Sequence, residues 1–168
     1  MTYSAPPDIL TLSDDAQLAW AAIEPIWDYL PLSPAKRLEA FLEGLTTGQA
    51  ALLAIDWCQK DIRNGGHAQL FQNASGNLVP WAIDGFRLIG GDAYAANLAA
   101  AAALLGAEYP GSGAARKRAM QALTDDQRQT LETLSDAFLD LLYGADTDLE
   151  AFRAAYIRTN PAEFIAGA

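Results

Sequence analysis

The chain holds one cysteine and one histidine, so chemistry that needs a thiolate, an imidazole or a zinc ion must be built around Cys58 or His67. Zinc requires several Cys, His or carboxylate ligands held together, and this chain has too few to supply them. Cys58 lies three residues after Ile55 and four before Ile62, on one helical face, and reads as a small core residue because free cysteine prefers burial. A Mg²⁺ or Ca²⁺ site made of carboxylates alone stays open, without calcium-loop spacing to support it. His67 follows Asn64-Gly65-Gly66. A general base could sit at such a junction, beside a turn that lets backbone approach a ligand. The glycines follow no strand, so the segment is neither a phosphate loop nor a dinucleotide fingerprint. Asn-Gly-Gly is also what a helix stop and tight turn require, and no Ser/His/Asp arrangement can be assigned. The expectation is therefore a structural junction in a protein that is not an enzyme, with no catalytic residue, metal or cofactor. Gly65 or Gly66 should have positive φ, and Asn64 should bond to local backbone.

Carboxylates form the other chemically suggestive pattern. Glu132, Asp136 and Asp140 recur at i, i+4 and i+8, which on a helix makes one stripe with neighbours about 6 Å apart along the axis. Asp125 shares that side by helical phase, while Leu131, Leu134, Phe138, Leu141 and Leu142 occupy the opposite one. The acids should face solvent and repel each other, at a cost of a few tenths of a kcal/mol per pair. Such a line could be a merely solvated face, or it could imitate a phosphate backbone to a basic protein.

Composition frames both readings. Twenty-one acidic against eleven basic residues give a net charge of −10 over 168 residues. This surface repels nucleic acid and anionic lipid, both of which need Lys and Arg to neutralise phosphate, and it attracts basic partners. No direct nucleic-acid binding is expected. With one cysteine, no basic-then-apolar leader at Met1 to Pro7 and no apolar run near 18 residues, the expected setting is the cytoplasm, away from membranes.

Helix signals position these residues, and strand alternation is nearly absent. Ser13 is expected to cap a first helix with Pro25 kinking or breaking it, and Ser33 to cap a second that begins at Pro34. Thr46 and Gln49 form a capping box for a buried third helix ending at Asn64-Gly65-Gly66, followed by a short one through Gln69 and Phe71 to Asn73. Further helices are expected over about 78–89, 92–108, a short basic one over 114–123, a long one to about Tyr143 opened by the box Thr124/Gln127, and a last one from Asp146–Asp148 to Asn160-Pro161. Eight or nine helices with short connections predict an all-α, single-domain bundle over residues 1–168, with 1–12 as a loosely structured arm.

The string from Asn64 to Gly76 resembles the signature of the bacterial DNA-mimic protein family: Asn64-Gly65-Gly66, then Gln69, the aromatic Phe71, Asn73, and a small residue before Gly76. Leu88-Ile89-Gly90 ahead of an alanine-rich helix, and Tyr156-Ile157 with Phe164, are similar too. The resemblance covers about residues 15–165 and is strongest in the central third. The chain departs from it at His67, where the family usually has an aromatic, and this points to packing. The resemblance implies an all-α homodimer, acting in transcription regulation, whose surface acids occupy the DNA-binding face of a basic helix-turn-helix regulator. The signature contains no acid, so it should define the fold and leave partner binding to Asp125, Glu132, Asp136 and Asp140. Two other functions stay open: a homodimeric interaction or structural protein whose acidity serves solubility, and a small-ligand binder or enzyme using a pocket near Asn64, His67, Gln69 and Asn73.

Overall fold

Capped, helix-period segments become eight α-helices in a computed structural model that describes residues 3–166: α1 (Asp15–Trp27), α2 (Ala35–Glu43), α3 (Thr47–Gln72), α4 (Val79–Leu88), α5 (Asp92–Ala103), α6 (Gly113–Ala122), α7 (Asp125–Tyr143) and α8 (Leu149–Thr159). Two short 3-10 turns join helices (α3 to α4 and α7 to α8), two more precede α1 and follow α8, and among the described residues the one β-type pairing is an isolated bridge between Ala5 and Ile165. The fold is the expected all-α, single-domain bundle.

Both capping boxes form. The Thr46 and Thr124 hydroxyls accept the backbone N–H of Gln49 and Gln127, whose side chains accept the cap N–H in return. Two starts differ from expectation. Asp14 rather than Ser13 caps α1, a carboxylate being the stronger acceptor at the positive end of a helix, and α2 begins after Pro34 with no side-chain cap. Pro25 lies in the last turn of α1, where it removes one donor without breaking the helix. The alanine-rich α5 stops at Ala103, before the expected Glu108, and Gly106 follows with φ 138°.

The expected loose arm is docked over its described part. Ala5 and Ile9 are buried, the Ala5 N–H donates to the Phe164 carbonyl at 2.8 Å, and Gln49 Nε2 donates to the Tyr3 carbonyl at 2.9 Å. Apolar residues in the arm find a groove, and the C-terminal segment supplies a backbone partner. Met1 and Thr2 lie outside the described residues.

α3 is the axis of the molecule, touching α1, α4, α6, α7 and α8. Leu52, Leu53, Ile55, Cys58 and Ile62 are buried around its circumference, as expected of a buried third helix. Trp57, half-buried, stacks on Trp27 of α1 with ring centroids 4.5 Å apart. Asp56 and Arg153, both buried, pair at 3.2 Å and tie α3 to α8.

The expected stop at Asn64-Gly65-Gly66 is a kink inside α3. Two helical arms meet at Gly65 (φ −164°, ψ 28°) and Gly66 (φ 68°, ψ −174°). Gly66 thus supplies the anticipated positive φ, in a region that only glycine occupies readily, and a Cβ there would lie 2.8 Å from Ser135 Oγ on α7. Gly66→Ala is expected to lower unfolding free energy by about 1–3 kcal/mol from backbone strain, measured by urea denaturation. A loss below a few tenths of a kcal/mol would show that the kink does not depend on glycine.

Candidate partner-binding face

The signature residues meet at Asp61, one turn before the kink. Its carboxylate accepts from Gln69 Nε2 at 3.3 Å, from Asn73 Nδ2 at 3.0 Å and from the Ser75 hydroxyl. Asp61 thereby fixes the angle between the two arms of α3 and the turn after it. Asn64, expected to hold local backbone, is exposed and makes no side-chain hydrogen bond among the described residues.

Beneath this lies a second centre. Arg116 of α6 has no exposed surface and pairs with no carboxylate. Its guanidinium donates to the Phe71 carbonyl (3.1 Å), the Asn73 carbonyl (3.1 Å) and Asn77 Oδ1 (2.7 Å). Tyr109 packs its ring 6.0 Å from the guanidinium carbon and donates to the Gly76 carbonyl at 2.9 Å. A Cβ on Gly76 would come 2.6 Å from Arg116 Nε, so glycine is required there to admit the arginine. Phe71 is wholly buried between His67 and Tyr109. Each signature side chain except Asn64 therefore has a packing or hydrogen-bonding task.

His67 is also fully buried. Its N–H donates to Ser135 Oγ at 3.0 Å, its Nδ1 lies 3.0 Å from the same oxygen, and Ser135 back-bonds to the Leu131 carbonyl at 2.9 Å. The ring meets Phe138 edge-on at 5.7 Å, so it packs as the family's aromatic was expected to. His67 lies in the core and Gln69 and Asn73 are engaged by Asp61, so the cleft beside the kink is lined by their neighbours Gly65, Gly66, Ala68 and Gln72 in place of these side chains. Burial lowers the His67 pKa from its usual 6.5 to about 4, partly opposed by the nearby Asn97 amide. Unfolded chains take up the proton near pH 6.5 and the folded protein only near 4, so stability from the neutral ring is complete above pH 6.5. It is lost as pH falls to 4. The loss is about 3 kcal/mol at 1.36 kcal/mol per pH unit. Urea midpoints of His67→Phe should lack this component between pH 6.5 and 5, and an unchanged pH slope would contradict a buried neutral histidine. Cys58 is likewise inert in the core, its thiol pKa pushed up by burial and secondarily by Asp61.

Asp125, Glu132, Asp136 and Asp140 are all exposed on α7, while Leu131 and Phe138 are buried on its other side. Among the described residues none of the four forms an ion pair or side-chain hydrogen bond. Arg128 is the only base on α7, four residues before Glu132, yet it donates to the Gln121 carbonyl at 3.1 Å. Burial of Arg116 and Arg153 against a single buried carboxylate, Asp56, leaves the outer surface one unit more negative than the chain's −10.

The structure divides the stripe. Glu132 and Asp136 flank a cleft of about 360 Å³ between the α3 kink, α6 and α7, lined also by Gly65, Gly66, Met120, Leu123, Leu131 and Arg128. Asp125 and Asp140 lie outside it. Neither the cleft nor the roles of Asp61 and Arg116 emerged from the sequence. Among the described residues no cluster of His, Cys, Asp or Glu could hold a metal ion, and no helix is long and apolar enough to cross a membrane.

A family model described as DMP19-like protein matches residues 43–160, from the end of α2 to the end of α8. No curated protein and no solved structure matches the chain.

Proposed function

The chain belongs to the DMP19-like protein family, and from that premise we propose that it is an acidic protein-binding module that imitates DNA. In this reading it works in the cytoplasm as a homodimer and occupies the DNA-binding surface of a basic helix-turn-helix-type regulator. Family membership supports a DNA-mimic type of role. The observation that carries the reading to this chain is the row of unpaired, exposed carboxylates on α7. A rigid helix holds them about 6 Å apart along its axis, so a partner meets fixed charges that need no ordering before they bind. We assign no catalytic step and no cofactor.

The test is capture from native lysate on immobilised protein, eluted in rising salt. The expected result is a basic DNA-binding protein that leaves steeply with salt, because exposed charges are screened over about 10 Å at 0.1 M. Its operator DNA should then displace the immobilised protein. Retention of no DNA-binding protein would favour the alternative, a homodimeric interaction or structural protein whose acidity serves solubility. A monomeric mass by light scattering at micromolar concentration would remove the dimer from either reading.

A further inference from the structure

We propose that the cleft beside the α3 kink is a socket for one arginine side chain of the basic partner. This inference rests on the mimicry reading and sharpens it, because it replaces a flat charged face with a shaped site. Three features of the cleft match an arginine.

Its volume of about 360 Å³ exceeds that of a single arginine side chain. Its floor is apolar, with Leu131 and Leu123 nearly buried and Met120 beside them, which suits the methylene stem. Its α7 rim carries Glu132 and Asp136, neither of them paired. Carboxylates accept a guanidinium through two parallel hydrogen bonds, a geometry that an ammonium cannot reproduce.

The Gly65–Gly66 backbone forms the opposite wall. The space a side chain on either glycine would take is filled by Gln69 and Ser135, so both residues line the cleft through their backbone alone. Arg128 also lines the cleft, and its charge opposes the occupant. Its hydrogen bond to the Gln121 carbonyl keeps it out of an ion pair with Glu132, so the two rim acids remain free for a partner. Asp125 and Asp140 lie outside the cleft and attract the partner without gripping it.

Hexa-arginine and hexa-lysine peptides serve as probes, titrated into ¹⁵N-labelled full-length protein at low salt. The arginine peptide is expected to bind at least 10-fold more tightly and to shift the amides of Gly65, Gly66, Ser135 and Leu123. Ala68→Leu fills the cleft and leaves every charge in place, so it should weaken the arginine peptide at least 10-fold. Gln72→Trp obstructs the mouth from an exposed position and should do the same if Ala68→Leu perturbs folding. Arg128→Gln should tighten binding several-fold. Equal binding of the two peptides, or arginine binding untouched by Ala68→Leu and Gln72→Trp, overturns the socket. In those cases shifts around Asp125, Glu132, Asp136 and Asp140 would leave mimicry by the open stripe standing. Absence of binding by either peptide overturns the socket and counts against the stripe as well.

Discussion

Arg116→Ala should remove about 3–5 kcal/mol of folding free energy. The Phe71 and Asn73 carbonyls and Asn77 Oδ1 would each lose a charged donor, and a buried acceptor left unpaired costs about 1–3 kcal/mol. The total stays near the low end because the mutation also abolishes the cost of holding a desolvated guanidinium. Against a typical stability of about 5–15 kcal/mol, that is a large fraction. Arg116→Lys should recover little, since one ammonium cannot span three acceptors set in a fork. Asp61→Ala should destabilise by less, because Asn73 is exposed at its end of that network and can turn to water. Urea denaturation of the three variants measures the order. A loss under 1 kcal/mol for Arg116→Ala would mean that water replaces the guanidinium and that the centre below the signature is dispensable.

What could be seen in the sequence follows from how local its cause is. The caps at Thr46 and Thr124 are made within three residues, and both formed as expected. The exposure of Glu132, Asp136 and Asp140 also follows from one helix, because Leu131 and Phe138 decide which side is buried. The Gly66 conformation was announced by its residue type. That the chain resumes as a second arm of α3, instead of leaving as a separate helix, depends on packing against α7. Arg116 escaped notice because a basic run in a short helix ordinarily faces water. Its three closest acceptors lie 39 to 45 residues earlier in the chain. Asp61 bonds to residues 8, 12 and 14 positions on, spacings that no single helix brings together. The cleft needs α3, α6 and α7 at once, so nothing local could announce it. The N-terminal arm was misjudged for a related reason: its partner, Phe164, stands at the far end of the chain.

Reversing Glu132, Asp136 and Asp140 to lysine should abolish partner capture while leaving the fold intact. None of the three packs or pairs in the folded protein, and their mutual repulsion already costs a little stability, so the variant should keep its helicity and urea midpoint. Six units of charge change take the chain from −10 to −4. Three contacts of about 1 kcal/mol each lost to a basic surface, with repulsion added, amount to at least a 100-fold drop in affinity. A global change in charge could do some of this by slowing encounter. The control is therefore a second triple variant, Asp8, Glu24 and Glu39 to lysine, which makes the same net change at exposed positions away from α7. Mimicry through the stripe predicts that this control loses mainly association rate and keeps its dissociation rate, since local contacts set the latter. The stripe variant should lose both. Equal behaviour of the two triple variants would reduce the stripe to a share of the overall charge. Undiminished, salt-insensitive capture by the α7 variant would make it a solvated face and nothing more.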